Sequence, residues 1–418
     1  MSAARLAGVV AVGDELLAGA HPDLDSPLIA ARLPELGREV VRVTVVGDDE
    51  PAIAEAVADM ARRVPLVFVT GGLGPTLDDV TRHGVARAAG VEVVHSEEAW
   101  SQVSAWYARA GREMPRSNRR QALVAEGAAV LENRCGTAPG FRCRVGPADV
   151  FVLPGPPAEL EDMFDHEVAP WLVAHPVGDE VIAVHSFHLI DLSESVFADA
   201  VGDWMARDTN PRMGCTVKAG VLTVRLLARG ADEAEADAIL AERAVAFRER
   251  FGAHLFSEHT ADPAEALGQQ LLAKGLTVTT AESCTGGLIA AALTGVPGIS
   301  AVLREAVVTY ADEAKSERLG VPRDLLERYG AVSEEVVGAM AAGAAERTGA
   351  RLALAVSGVV GPAGGTPDRP VGLVWFGLAL DGEVRTESRR WPPAGRDRVR
   401  AWATSKGLSL LLEAARRA

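Results

Sequence analysis

The chain has 418 residues, 48% of them apolar and 24% charged, with 42 glycines and 23 prolines scattered along it. That balance belongs to a globular protein of two or three domains and excludes collagen-like, low-complexity and disordered classes. The formal net charge of −15 repels phosphate backbones, so direct nucleic-acid binding is disfavoured.

The opening MSAARLAGVVAVGDE lacks the basic start, long apolar stretch and cleavage site of a secretory signal. Leu6–Val12 reads instead as a buried strand. Ser26-Pro27 then starts a helix that Gly37 stops. Glu39–Val46 is a β-branched run, Pro51 opens a helix to Arg63, and Leu66–Thr70 is the next strand. The turn Gly71-Gly72-Leu73-Gly74-Pro75 follows at once, then a helix over 79–89. Strands and helices in alternation, with continuous apolar strands, predict a mostly parallel sheet covered on both faces. A strand over 151–153 and a helix through Phe164 close this first domain, 1–170.

Residues 171–257 read as a small α+β unit, with strands at Val181–Ile190 and 221–228 and an amphipathic helix over 231–250. His185 and His188 fall on opposite sides of a strand, and these two, with His254 and His259, read as structural. The third domain, 258–418, opens at the cap Asp262 and first-turn Pro263, and its helix stops at Gly275. A strand over 276–281 runs into Glu282-Ser283-Cys284-Thr285-Gly286-Gly287. Ser333 caps a helix to Gly349, and strands follow at 352–356 and 371–380 before a helical, arginine-rich tail over 397–418. The uncharged run 284–303 is long enough to span a membrane, but its glycines and Pro297 make it loop, helix and turn.

Cys135, Cys143, Cys215 and Cys284 form no C-x-x-C pair, which argues against a zinc ribbon and for reduced thiols in a cytoplasmic protein. Only four lysines occur among the 42 basic residues: Lys218, Lys274, Lys315 and Lys406. Arginine serves as well for surface charge but keeps its proton, so a retained lysine points mildly to a task arginine cannot do.

Three motifs of the third domain bear chemistry. The turn after 281 sets Ser283, Cys284, Thr285, Gly286 and Gly287 between a strand and a helix, where ligands of open α/β sheets bind and helix N–H groups favour negative charge. A nucleophile and its oxyanion donors fit there; a plain polar helix cap fits as well. Tyr310 and Lys315 fall close together, and a Ser–Lys pair is a known variant of triad chemistry, against which stands a solvated lysine on a helix face. Ser357, Gly361, Gly364, Gly365 and Thr366 lie in a glycine-rich loop after a buried strand, suited to close approach of a ligand. In the first domain Gly13-Asp14-Glu15 and Thr70-Gly71-Gly72-Leu73-Gly74-Pro75 each follow a strand. The second cradles phosphate by its amides, while Asp78 and Asp79 either hold a divalent cation or cap a helix. It is neither a Walker loop nor a Rossmann fingerprint. Asn118, Gly136 and Thr137 are further polar and glycine positions.

Taken together, VGDELLAG, TGGLGPTLDD, SNRRQALVAEGA, GTAPGF, LPGPPAEL, AESCTGGLIAAAL, VPGIS, YADEAK, GAVSEE and GPAGGTPDRPVG make the chain resemble the CinA family of competence/damage-inducible proteins nearly end to end. The resemblance implies two α/β domains with mainly parallel sheets, the first molybdopterin-binding-like and the last of CinA type, joined by a KH-type α+β domain. It implies a nicotinamide-nucleotide amidohydrolase at the C-terminal site, turning nicotinamide mononucleotide into nicotinate mononucleotide and ammonia without a cofactor. Ser283 would be the nucleophile, Tyr310 and Lys315 its activating partners, and Gly361 to Thr366 the nucleotide loop. From the residues themselves, Arg396 or Arg400 of the arginine-rich tail is expected to pair with the substrate phosphate. The resemblance further implies a metal-dependent (Mg, Mn or Co) ADP-ribose pyrophosphatase at the N-terminal site. The alternative is a non-catalytic pterin- or nucleotide-binding accessory to DNA uptake or damage response. A homodimer is the base expectation.

The chain departs from the family pattern at Asp23-Leu24-Asp25 and at Asp312, where the family usually has asparagine. Asp312 sets a negative charge beside Lys315, which favours the charged amine. The middle region lacks the G-x-x-G loop of RNA-binding KH domains.

Overall fold

The computed structural model describes residues 3–178, 180–206 and 208–418. The chain divides into two units, Met1–Val184 with Ala228–Ala238, and His185–Leu227 with Ile239–Ala418.

In the first unit the strands are β1 (Leu6–Val12), β2 (Glu39–Val46), β3 (Leu66–Thr70), β4 (Val93–His95), β5 (Leu123–Ala125), β6 (Ala129–Leu131), β7 (Gly140–Val145) and β8 (Ala148–Leu153). Among the described residues the main sheet runs β2-β1-β3-β8-β7-β6. Its pairings are parallel from β2 to β8 and antiparallel through β7 and β6. Alternation along each strand sorts the core into two layers. Val10, Val67, Val69, Val150 and Val152 face one side, where Ile53, Val57 and Val85 pack; Ala7, Val9, Phe68 and Phe151 face the other, with Ile29, Leu33 and Phe164. With both faces covered, open ground remains at the strand ends.

Two boundaries differ from the sequence reading. The helix expected from Ser26 is Asp25–Arg32, and the Asp23 carboxylate accepts the amides of Asp25 and Ser26 that a cap would take. The helix expected from 79 begins at Thr81, because Asp79 closes the preceding loop.

A four-stranded sheet of order β10-β11-β9-β12 is built from β9 (Val181–Ile190), β10 (Arg212–Lys218), β11 (Val221–Gly230) and β12 (Leu255–Ser257). Ala219 and Gly220, at φ +50° and +84°, make the two-residue turn between β10 and β11. The last sheet has order β14-β13-β15-β16-β17, from β13 (Val278–Glu282), β14 (Leu303–Val308), β15 (Leu352–Gly358), β16 (Leu373–Leu380) and β17 (Glu383–Arg390). Its β14-β13-β15 part is parallel as expected. Strands β16 and β17 are antiparallel, because Asp381-Gly382 (φ +50° and +88°) turns the chain in a tight hairpin. Large residues Leu352, Leu354 and Val356 fill one face, and the small Ala353 and Ala355 fill the other, against the helix Glu334–Thr348. Gly377 is required there: a Cβ would lie 2.2 Å from the Val337 carbonyl oxygen.

No helix among the described residues is long and apolar enough to cross a membrane. The run 284–303 is a turn, the short helix Leu288–Thr294, a 3₁₀ turn and the start of β14.

Candidate active site

In the second unit, Ser283 lies at the carboxyl end of β13. Its amide donates to the Val356 carbonyl at 2.9 Å, and the Gly286 amide returns to the Ser283 carbonyl at 3.1 Å, which makes a tight turn. Gly286 and Gly287 take φ of +64° and +94°, which side chains avoid. The sequence reading gave the following helix N–H groups to an oxyanion. They are instead occupied by Glu282, a fully buried acid. One of its oxygens accepts the amides of Gly287 (3.0 Å) and Ile289 (3.2 Å), and the other accepts that of Ala290 (2.8 Å). Among the described residues, the Cys284 and Thr285 amides of the turn bond no backbone carbonyl; both face the Cys284 sulfur. The Cys284 side chain is buried, and burial pushes its thiol up to about 12. Such a thiol is protonated and inert at neutral pH.

β14 runs parallel to β13, with Val308 opposite Glu282, and Thr309 donates to the Glu282 carbonyl at 2.8 Å. This brings Tyr310 and Lys315 to the sheet end that holds Ser283. The sequence reading missed β14, whose Arg304 and Glu305 interrupt the apolar run of an edge strand. Lys315 is buried; its Nζ donates to the Tyr310 carbonyl at 3.0 Å and lies 3.4 Å from Asp312 Oδ1. No hydrogen bond joins Lys315 Nζ to the Ser283 hydroxyl among the described residues.

The C-terminal helix Arg396–Arg417 gathers the remaining parts. Arg396 donates through Nη2 to the Tyr310 hydroxyl and through Nη1 to the Gly361 carbonyl, both at 3.0 Å. Arg400 Nη2 donates to the Thr285 carbonyl at 2.9 Å, while its Nε and the Thr285 hydroxyl are buried without partners. One helix end therefore ties the 283–287 turn, Tyr310 and the glycine loop together. Gly361 and Gly364 hold φ of +77° and +90°, and a Cβ on Gly365 would lie 2.9 Å from the Val371 amide. Thr366 and Arg369 exchange backbone bonds and close that loop on itself. The Ser357 hydroxyl, expected at a ligand, donates to the Ala331 carbonyl at 2.6 Å.

In the first unit a cavity of about 620 Å³ opens at the carboxyl ends of β1 and β3. Of the expected residues, Gly13, Glu15, Thr70, Gly71, Gly72, Gly74, Pro75, Asp78, Asp79 and Thr137 line it. Asp14 does not; it exchanges amide–carboxylate bonds with Asp48. Asn118 stands behind the wall and donates to Gln121, which donates to the Thr137 hydroxyl. Gly136 leaves room for Glu159, whose oxygen would lie 2.0 Å from a Cβ there. The 71–76 loop is clamped from two sides. Asp79 accepts the amides of Gly74 and Thr76, each at 2.7 Å. The buried Arg82 donates to the Leu73 carbonyl at 2.6 Å and the Gly74 carbonyl at 3.5 Å. Asp25, noted in the sequence only as a departure from the family pattern, also lines the cavity. Burial lifts its carboxyl to about 7, with the Asp23 charge adding and the Thr70 hydroxyl opposing. Burial and the charges of Asp14, Glu15 and Asp78 raise Asp48 too.

A divalent cation fits this lining in kind, since every acidic donor is a hard carboxylate oxygen. Among the described residues no three His, Cys, Asp or Glu side chains form a ready cage. Magnesium is ordinarily held by one or two carboxylates together with substrate phosphates, so an all-protein cage is not demanded. His185, set aside as structural, bonds Glu258 at 2.6 Å, and His188 bonds the Thr223 hydroxyl at 3.0 Å.

These features define a multidomain α/β protein with a cleft at the strand ends of its first sheet and a serine turn, a tyrosine, a buried lysine and two arginines gathered at the end of its last. Family models agree along the chain: "Probable molybdopterin binding domain" over 8–174, "Damage-inducible protein CinA KH domain" over 185–257 and "CinA C-terminal domain" over 260–415. A competence-damage inducible protein of Symbiobacterium thermophilum is 43% identical over 379 residues, covering 90% of this chain and 88% of its own length. A CinA-like protein of Akkermansia muciniphila is 40% identical, covering 98% and 97%. The solved competence/damage inducible protein of Agrobacterium tumefaciens is 41% identical over 36% of this chain and 95% of its own, with a TM-score of 0.35. The chain belongs to the CinA family of competence/damage-inducible proteins, with a molybdopterin-binding-like N-terminal domain, a KH domain and a CinA C-terminal domain.

Proposed function

We propose that this chain is a nucleotide hydrolase whose C-terminal site deamidates nicotinamide mononucleotide. The observation that carries the reading is the meeting, at one sheet end, of a serine turn, a buried lysine and two arginines. Ser283 Oγ attacks the amide carbon and forms a tetrahedral oxyanion, which the Cys284 and Thr285 amides receive. The serine proton passes by way of Lys315 to the leaving nitrogen, and ammonia departs. Water then splits the Ser283 ester to give the nicotinate carboxylate. Arg396 and Arg400 suit the substrate phosphate, and the positive-φ glycines 361 and 364 let backbone approach the nucleotide. The raised thiol of Cys284 favours Ser283 as nucleophile over its neighbour. The test is ammonia release from nicotinamide mononucleotide. Ser283→Ala is expected to abolish it and Cys284→Ala to leave most of it; the opposite outcome makes the thiol the nucleophile.

For the first unit the reading is metal-dependent cleavage of the ADP-ribose pyrophosphate. The 71–76 loop suits phosphate oxygens. Asp78 and Glu15 would hold the cation, while Asp79 shapes the loop. When bound, such a cation neutralises phosphate charge. Binding of a pterin or nucleotide without turnover is the second reading. It is favoured by Asp79, whose carboxylate is spent on the amides of Gly74 and Thr76 and so serves the loop that would grip a ligand. Titration with ADP-ribose and magnesium separates the two: heat of binding with no AMP formed selects the binding module.

A further inference from the structure

Of the two lysines buried in this lysine-poor chain, Lys315 belongs to the site above and Lys406 does not. Lys406 sits midway along the helix Arg396–Arg417. Its Nζ donates to Asp191 Oδ2 at 2.7 Å and lies 2.9 Å from Glu387 Oε1. Arg389 joins the group, 3.0 Å from Asp191 Oδ2 and 3.5 Å from Glu387 Oε1. Asp191 follows β9 at φ +61°, a region most side chains avoid. One residue before Lys406, the Ser405 hydroxyl donates to the Ala219 carbonyl at 2.9 Å. A turn earlier, the β10–β11 turn passes so close to Trp402 that a Cβ on Gly220 would lie 3.0 Å from its Cδ1. Residues of the 185–227 segment thus grip one helix at three successive points, Trp402, Ser405 and Lys406.

The same helix carries Arg396 and Arg400 to Tyr310, Gly361 and Thr285. A helix rises about 1.5 Å and turns about 100° per residue, so Lys406 lies about 9 Å along a stiff rod from Arg400. A slip of one residue at the grip would swing both guanidinium groups out of place. The compact ammonium of the buried lysine reaches two partly exposed carboxylates from separate segments, which a planar guanidinium suits less well.

We propose that the KH-type segment is a positioning element for the C-terminal site, with Lys406 its positioning residue: it fixes the register of the C-terminal helix and so sets where Arg396 and Arg400 meet the phosphate of a mononucleotide. The substrate half of this proposal rests on the amidohydrolase reading; the helix half does not.

The test uses the full chain, comparing wild type with Lys406→Met and Lys406→Arg. Without substrate, amide exchange over 396–404 is expected to quicken about tenfold in Lys406→Met and less in Lys406→Arg. With nicotinamide mononucleotide, KM is expected to rise about tenfold, with any fall in kcat smaller than that rise, since phosphate binding is lost in ground and transition state together while Arg396 and Arg400 also touch Tyr310 and the Thr285 carbonyl. Should Lys406→Met not fold, Gly220→Val carries the same expectation, because it pushes the surface turn off Trp402 without stranding a buried charge. Unchanged exchange in the folded variants overturns the proposal. Faster exchange with KM unchanged, or a loss confined to kcat, overturns it as well. If wild type and Ser283→Ala release ammonia equally, the amidohydrolase reading falls, and the substrate-free exchange still decides the helix register.

Discussion

Three amides of the helix after the serine turn converge on one buried carboxylate, that of Glu282. Glu282→Gln keeps the shape but sets an NH₂ donor against N–H donors. Leaving such groups unsatisfied costs about 1–3 kcal/mol, to be read as a lower urea midpoint at unchanged slope. Asp312→Asn removes a charge 3.4 Å from the Lys315 amine. Deamidation at pH 7 is expected to rise by at most about fivefold, because the Asp312 carboxylate is exposed and screened although the amine it faces is buried. Asp25 gives a pH signature in the first unit. Its carboxyl is lifted from the ordinary 3.8 to about 7, chiefly by burial. Between those values the native chain keeps a proton that the unfolded chain releases, so Asp25 costs stability progressively as pH climbs from about 4 to 7. Asp25→Asn removes that cost. Its melting midpoint relative to wild type should therefore climb between pH 4 and 8; a constant difference would show that Asp25 titrates normally.

At the scale of elements, the glycine loop of the first unit depends on opposed clamps, carbonyls on Arg82 and amides on Asp79. The roles of the two adjacent acids therefore separate by measurement. Asp79→Asn should lower unfolding stability along with ADP-ribose hydrolysis, whereas Asp78→Asn, which loses only an exposed bond from the Thr76 hydroxyl, should lower chiefly the metal-dependent hydrolysis, by about tenfold or more. Sequence periodicity locates β1, β2, β3 and β9 to the residue, because β1 and β3 are continuous apolar runs and β2 and β9 are β-branched or apolar stretches. It passes over β14 and β17, edge strands that carry Arg304, Glu305, Arg385, Glu387 and Arg389, where charge protects an exposed edge. The Asp381-Gly382 turn was a hairpin signal in plain view and sets the antiparallel half of the last sheet.

At the scale of the whole molecule, the parts of the C-terminal site are scattered from Ser283 to Arg400, and no spacing rule joins positions so far apart. Strand order joins Ser283 to Tyr310 and Lys315, and one helix end adds the arginines. The candidate residues were legible as motifs; Glu282, Asp25 and Arg82 were not, because their roles appear only when burial and partners are known. Net charge makes a last prediction. At −15 the chain should leave duplex DNA unshifted in a mobility assay at physiological salt, and a salt-sensitive shift would reveal a local basic patch.

The acid beside the nucleophile has a consequence for turnover. On the amidohydrolase reading a neutral ring substituent becomes an anion, and the N–H groups at the start of the next helix are already taken by Glu282. Those helix N–H groups are then not free to hold the product carboxylate, and on that reading inhibition by accumulated nicotinate mononucleotide should be weak.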